Sequence, residues 1–385
     1  MTLRPETGLI HAVTCHLHRM SEIRATTNTP PANSPDAPEL VAAMLRDADQ
    51  AGASDIHLQS IPGAVTVQWR LDGVLHDRGR IEMPVAERVL GRIKYLARLR
   101  TYQETLPQDG RIPAADAGLD CDLRVSTYPT VTGEKIVLRI FRNSSAVSLG
   151  ELGLPLPTLN ALQSAIAQPT GLILLTGPAG SGKSTTVHAA LHELAQAGGR
   201  HLVTVEDPVE TLVPGVMQTE VNEARGLTYP AAVRHLLRQD PQAIVIGEIR
   251  DSETATLAVQ AALTGHLVLS TLHAGSCHGV LDRLRLLVPD TFSVAASLTL
   301  VLNQRLVRRT CTRCQGDGCS HCVRTGFQGR IPIVEHLAFT DPDRPALRQG
   351  ITPPLPPDST LAAAASRAVA AGLTTSAEIL RVLGK

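Results

Sequence analysis

One stretch constrains the fold more than any other: residues 171–185, Gly-Leu-Ile-Leu-Leu-Thr-Gly-Pro-Ala-Gly-Ser-Gly-Lys-Ser-Thr. A short apolar run over 172–175 ends in a glycine-rich loop, and helix-forming residues follow over 187–194. Between a strand and a helix, the spacing Gly177-x4-Gly182-Lys183-Ser184 reads as a nucleoside-triphosphate loop. Glycine lets successive backbone N–H groups turn inward without a Cβ in the way. Those groups and the positive end of the next helix form a nest for phosphate oxygens. The expected binding set is Gly177, Pro178, Ala179, Gly180, Ser181, Gly182, Lys183, Ser184 and Thr185. Lys183 is expected to reach the β- and γ-phosphates of ATP, and the Ser184 hydroxyl to ligate Mg2+. A glycine-rich turn that binds nothing would need neither flanking element.

Downstream, strands expected at 201–205, 243–246 and 266–271 alternate with helices at 229–237 and 252–263. That alternation implies an α/β fold with a parallel sheet, which binds ligands at the carboxyl ends of its strands. Three motifs begin where a strand ends. Ile244-Val-Ile-Gly-Glu248 is an apolar strand closing on an acid, without the usual aspartate at that strand end. A carboxylate there can simply cap the next helix, but Asp251 is better placed to cap a helix starting at Ser252. Glu248 is therefore free to polarise an attacking water or to hold Mg2+ through water. Glu206, Asp207 and Glu210 crowd three carboxylates into five residues, which repel unless a cation or a basic group is near. Alone, that cluster reads as a solvated acidic loop. His266 and His273 bracket a strand and lie too far apart along it to share one ion. His273 fits a γ-phosphate sensor instead.

Cys311-x2-Cys314-x4-Cys319-x2-Cys322 supplies four thiolates from two knuckles, the number a tetrahedral structural zinc needs. Disulfides or free thiols are the alternatives. His321 could substitute for a cysteine, and Cys15, Cys121 and Cys277 read as ordinary thiols. No apolar run reaches membrane-spanning length; the longest candidate, 293–302, is broken at once by Asn303, Gln304 and Arg305. The N-terminus has no apolar signal core, so the expected compartment is the cytoplasm, where paired cysteines bind metal more readily than they form disulfides.

Ahead of the loop, residues 1–36 read as a disordered tail and linker in which His11, Cys15, His16 and His18 are scattered. Residues 37–143 read as a small α+β domain: a helix at 39–51, strands at 54–58 and 65–70, a hairpin turn at 71–73, a helix at 85–99, and strands at 119–126 and 134–141. Residues 144–157 are the expected interdomain linker. The ATPase domain then spans 158–385, with the cysteine motif at 311–322 and a helical tail at 359–383 that carries no legible chemistry.

The ensemble resembles the secretion ATPases of type II secretion and type IV pilus assembly (GspE/PilB-like). The resemblance rests on the loop, acidic box, 244–248 segment and histidine box in the family's order, and on the segment 237–251. It extends to Ser54-Asp-Ile-His57, Trp69-Arg-Leu-Asp-Gly73, Leu106-Pro-Gln-Asp-Gly-Arg111 and Arg124-Val-Ser-Thr-Tyr-Pro129. The run from Cys311 through Thr325-Gly-Phe-Gln-Gly-Arg330 to Glu335 also matches. Gln242 stands where the family usually has Asp. The spacer between the cysteine pairs is shorter than in many members, and too little chain precedes Ser54 for the extra docking domain of the fuller members. The tetracysteine motif is similar to the export and assembly branch.

The resemblance implies a RecA-like ATPase domain behind a PAS-like domain, assembled as a homo-hexamer. It implies Arg124 and Arg139 as fingers reaching nucleotide on the ATPase domain, and Glu206, Glu210, Glu248 and His273 around it. It further implies a peripheral position at the inner membrane through a platform protein. A nucleic-acid motor for DNA uptake or conjugation is the alternative. Lys+Arg and Asp+Glu both number 36, and aromatics make up only 2 % of the chain. Neither the basic groove nor the stacking rings that strand binding uses is therefore evident, and no direct nucleic-acid contact is expected. The intact Lys183, Ser184, Glu206 and Glu248 argue against a regulatory subunit that only binds nucleotide.

Overall fold

The computed structural model describes residues 36–142 and 147–384, which fall into two units divided after Asn143. The expected tail, with His11, Cys15, His16 and His18, lies outside the described residues up to Asp36.

The first unit comprises α1 (Ala37–Gln50), β1 (Asp55–Ile61), β2 (Ala64–Leu71), β3 (Val74–Glu82), α2 (Val85–Leu96), β4 (Gln108–Ile112), the short α3 (Ala114–Ala117), β5 (Leu123–Thr130) and β6 (Gly133–Ile140). Its strands form one antiparallel sheet in the order β3-β2-β1-β6-β5-β4. Alternate residues are buried, among them Ile56, Leu58, Val67, Trp69, Val125, Ile136 and Leu138, as a sheet covered on one face requires. Asp72 and Gly73 both take positive φ, the backbone that a two-residue hairpin needs. Lys94 of α2 and Glu134 of β6 form a buried ion pair at 2.8 Å. The helix expected over 85–99 stops at Leu96, because Arg98 turns left-handed and the Leu99 N–H returns to the Lys94 carbonyl. The strand expected from 119 starts at Leu123. Gly118 ends α3 in the left-handed region, and Asp122 is still spent accepting from the Ala114 N–H. β3 and β4 have no counterpart in the sequence reading.

The second unit opens with a 3-10 turn (Leu149–Leu152) and α4 (Leu156–Ala167). Next come β7 (Gly171–Thr176), α5 (Lys183–Ala197), β8 (Leu202–Glu206), β9 (Val216–Glu220), α6 (Tyr229–Leu236), β10 (Ala243–Ile246), α7 (Ser252–Leu263) and β11 (Leu267–Leu272). It closes with α8 (Cys277–Leu287), α9 (Thr291–Ser297), β12 (Leu298–Thr310), β13 (Phe327–Ala338), α10 (Arg344–Arg348), α11 (Leu361–Ala370) and α12 (Ser376–Leu383). The sheet order is β13-β12-β7-β11-β10-β8-β9, parallel throughout except that β13 returns antiparallel to β12. β7, β8, β10 and β11 are buried at every residue, because helices cover both faces. Apolar clusters fill the two sides, one around Val233, Val259 and Leu281 and the other around Leu162, Leu191 and Leu269.

One finding departs from expectation. Most of the described part of the stretch expected to link the domains is folded into this unit: Leu149 is fully buried against the cluster that contains α5. The apolar run at 293–302 is the end of α9 followed by β12, a strand paired on both sides within the sheet. No helix of the described residues is long and apolar enough to cross a membrane.

Candidate active site

The carboxyl ends of β7, β8, β10 and β11 deliver Gly177, Glu206, Glu248 and His273 to one edge of the sheet. Fully buried β7 ends at Thr176, whose hydroxyl donates to the Ala274 carbonyl at 2.9 Å and accepts from the Ala274 N–H at 2.8 Å. The glycine-rich loop is thus tied to the histidine box. Gly177 has φ +143, and a Cβ there would lie 2.3 Å from the Gln304 carbonyl oxygen. At Gly182, with φ +86, a Cβ would lie 2.7 Å from Gln304 Nε2. Both close approaches come from β12. Gln304 Nε2 donates to the Ser181 carbonyl at 2.8 Å, and Gln304 Oε1 accepts from the Thr186 hydroxyl at 3.0 Å. Lys183 Nζ donates to the loop's own carbonyls, Gly177 at 2.8 Å and Pro178 at 3.1 Å. Burial lowers the Lys183 pKa, while the nearby Glu248 charge opposes that shift. Ser184 and Thr185 stand exposed at the start of α5, and the buried Ser181 hydroxyl has no hydrogen-bond partner among the described residues.

Two carboxylates face this loop, each in its own network. Glu206, 6 % exposed, accepts from Thr204 Oγ1 at 2.6 Å and Gln218 Nε2 at 3.0 Å on one oxygen, and meets His188 Nε2 at 3.0 Å on the other. Burial pushes its pKa up, but the bonds from His188, Thr204 and Gln218 outweigh this and hold it below the ordinary value. Glu248 meets His273 Nε2 at 3.0 Å and Arg250 Nε at 3.1 Å. Arg250 also reaches Asp207 at 3.4 Å and lies over the Tyr229 ring. Burial raises the Tyr229 hydroxyl to about 12, so it stays a neutral donor. Asp251 accepts from the Thr254 N–H at 2.8 Å and caps α7, the arrangement that frees Glu248. A cleft of roughly 250 Å3 joins these groups, lined by Ala179, Gly180, Lys183, Ser184, His188, Glu206, Asp207, Glu210, Tyr229, Glu248, Arg250 and His273.

His188, Gln218, Tyr229, Arg250 and Gln304 escaped the sequence reading. A signal existed for His188, which stands four residues after Ser184 and so on the same helix face. For Gln304 it was the polar triplet that ends an apolar run.

Arg124 and Arg139 lie in the first unit, directly opposite each other on β5 and β6. They form one row with Arg111, Asp55 and Arg70 across five strands. Arg139 Nε donates to Asp55 Oδ1 at 2.9 Å, while Arg124, 64 % exposed, only approaches Asp109 at 4.0 Å.

The four cysteines sit in the connection between β12 and β13, their sulfurs all within 4.8 Å of one another. Contacts of 4.0 Å (Cys311–Cys319), 3.7 Å (Cys314–Cys322) and 3.8 Å (Cys319–Cys322) leave no disulfide among them. The Gly318 and Cys319 N–H groups point at Cys314 and Cys322 sulfur at 3.2 Å each, the donors a thiolate uses. Such a set could hold a metal.

Fold and loop together define a P-loop ATPase. Among solved structures, the chain resembles the ATPase DotB of Legionella pneumophila, with a TM-score of 0.68 over 91 % of this chain and 96 % of that one at 22 % identity. It also resembles the pilus retraction motor PilT with bound ADP, with a TM-score of 0.59 over 89 % and 92 % at 24 % identity. A family model described as "Type II/IV secretion system protein" matches residues 33–381. The type II secretion system protein E of Klebsiella pneumoniae is 40 % identical over 379 residues, 90 % of this chain and 76 % of that protein. The Pseudomonas aeruginosa type II secretion system protein HxcR is 41 % identical over 359 residues, 89 % and 76 %. The type II secretion system ATPase E of Vibrio cholerae is 39 % identical over 334 residues, 80 % and 66 %. The chain belongs to the type II/IV secretion ATPase family.

Proposed function

We propose that this ATPase is the motor of type II secretion or of type IV pilus or pseudopilus assembly. It works as a homo-hexamer on an inner-membrane platform protein from the cytoplasmic side. The observation that carries the reading is the convergence of four adjacent strand ends on Lys183: Lys183 feels the charge of Glu248, which shares a 3.0 Å contact with His273.

In this reading the loop amides from Gly177 to Thr185 hold the phosphates of ATP. Lys183 exchanges its two loop carbonyls for β- and γ-phosphate oxygens. The donor set suits Mg2+: the open Ser184 hydroxyl and Glu248 would hold it, and the ion would supply charge neutralisation for the phosphates. Glu206 is the carboxylate that orients the attacking water, with Glu210 at the rim of the same cleft. Its depressed pKa keeps it ionised at neutral pH, and orientation matters more than basicity in a loose phosphoryl-transfer transition state. Water oxygen bonds to the γ-phosphorus, the bond to the β–γ bridging oxygen breaks, and ADP leaves with that electron pair. The water proton passes to the carboxylate or the departing phosphate. His273 reports the γ-phosphate by its contact with Glu248.

Arg124 and Arg139 act as fingers from the first unit, which we read as the PAS-like domain. Their placement directly opposite each other on an open sheet face suits a polyanion, since like charges side by side destabilise a sheet on their own. The cysteine set suits zinc: metal–sulfur bonds of about 2.3 Å in a tetrahedron put sulfurs about 3.8 Å apart, close to the spacings observed. Replacing Glu248 with Gln tests the assignment by ATP turnover. A variant that hydrolyses ATP at the wild-type rate would overturn it.

A further inference from the structure

We infer that His188 is a positioning residue of the hydrolytic site, holding the Glu206 carboxylate from the helix that carries the phosphate loop. The inference rests on the reading of Glu206 as the water-orienting group.

The geometry makes the case. α5 begins at Lys183, so His188 lies little more than one turn along the helix that presents Lys183 and Ser184. Its Nε2 stands 3.0 Å from Glu206 Oε2. The other Glu206 oxygen is fixed from its own side of the sheet by Thr204 on β8 and Gln218 on β9. Among the described residues His188 alone hydrogen-bonds the carboxylate from the phosphate-binding helix, and both side chains line the cleft. With side-chain exposures of 18 % and 7 %, the contact is shielded from competing water. Any shift of α5 when the loop closes on phosphate is therefore passed to the carboxylate through one hydrogen bond.

The bond needs only a donor at Nε2, which both the neutral Nε2–H tautomer and the imidazolium supply. The two forms are not equivalent. The imidazolium draws density from the carboxylate and makes it a poorer acceptor for water. The charged groups acting on His188 are Glu206 and Glu210, both of which favour its protonation, and the bond to Glu206 lifts its pKa above the ordinary 6.5. His192 on the next turn of α5 lines the same recess beside Glu210. Turnover should therefore fall on the acid side as His188 gains its proton.

The experiment compares ATP turnover of the full chain in four forms: wild type, His188→Ala, His188→Gln and Glu206→Gln. His188→Ala is expected to lower kcat about tenfold, the effect of losing one hydrogen bond to a charged group, with KM for ATP nearly unchanged. His188→Gln, which keeps a donor but cannot titrate, is expected to recover most of kcat and to lose the acid limb above pH 6. Wild-type kcat in His188→Ala, kcat and KM failing together, no recovery in His188→Gln, or an unchanged acid limb in that variant would each overturn the role of His188. Full turnover in Glu206→Gln would instead overturn the reading of Glu206 itself.

Discussion

Glu378→Gln tests how the C-terminal helices are held. The Glu378 side chain is fully buried and accepts five hydrogen bonds: Arg308 N at 2.9 Å, Nε at 3.1 Å and Nη2 at 2.8 Å, then Arg381 Nε at 2.8 Å and Nη2 at 2.5 Å. Burial raises its pKa, but those bonds prevail and pull it from the ordinary 4.5 to about 2. At about 1.4 kcal/mol per pH unit, that fall corresponds to at most about 3 kcal/mol of stability. A depressed folded-state pKa makes this contribution full above pH 4.5 and removes it as the pH falls through about 2. Glu378→Gln keeps the shape but leaves Arg308, only 14 % exposed, without its counter-charge. In a unit of this size, about 3 kcal/mol is expected to lower its melting temperature by about 6–12 °C. The gap between wild type and variant should close as the pH is lowered from 4.5 towards 2.

The damage should also spread to the cysteine hairpin. Arg308 lies 4.1 Å from the Phe327 ring centroid, Thr310 N–H donates to Leu373, and Thr374 donates to the Arg308 carbonyl. Hydrogen exchange should therefore quicken both over α12 and around Cys311. A variant that melts within about 1 °C of wild type and exchanges at the same rate in both places would refute the network.

Lys183→Ala is expected to abolish ATP turnover while leaving the circular dichroism spectrum intact. Gly177→Ala should lose nucleotide affinity in a direct binding assay, because its Cβ would overlap the Gln304 carbonyl at 2.3 Å. Elemental analysis should find one zinc per chain, falling to none in the Cys314→Ser, Cys322→Ser double variant; a metal-free wild type that remains folded would sink the cysteine reading. Arg124→Ala should slow hydrolysis with nucleotide affinity retained, and equal loss of both would show a fold defect instead.

The parts legible in sequence were those whose chemistry is local. Gly177, Gly182 and Lys183 sit in one loop with fixed spacing, and Cys311 to Cys322 are twelve consecutive residues. Asp251 was readable as a cap because capping is decided within three residues. What stayed hidden depends on pairing between distant segments. β12 is apolar at consecutive residues because β7 and β13 flank it and both faces are covered, a pattern that periodicity cannot distinguish from a buried helix. Gln304 looked like the end of that apolar run, yet it supports the phosphate loop more than a hundred residues earlier in the chain. The partner of His188 is distant too: Glu206 is brought beside it by β8, eighteen residues further along the chain.

The two acids in the cleft are not interchangeable, and the reason lies in what each is tied to. Glu206 is bound to strand residues on one side and to the phosphate-loop helix on the other, so its position is set within the sheet and α5. Glu248 is bound to His273 and Arg250, both on loops at strand ends and both half exposed or more. Arg250 also touches Asp207, and His273 is followed directly by Ala274, which is stitched to Thr176 at the mouth of the phosphate loop. A carboxylate gripped by buried partners suits a water that must stay in line. One held by exposed, re-pairable groups suits a role that must respond when phosphate and metal arrive or leave. On these contacts a change in nucleotide state would be felt first at Glu248, His273 and Arg250, and would reach Glu206 through α5 and His188.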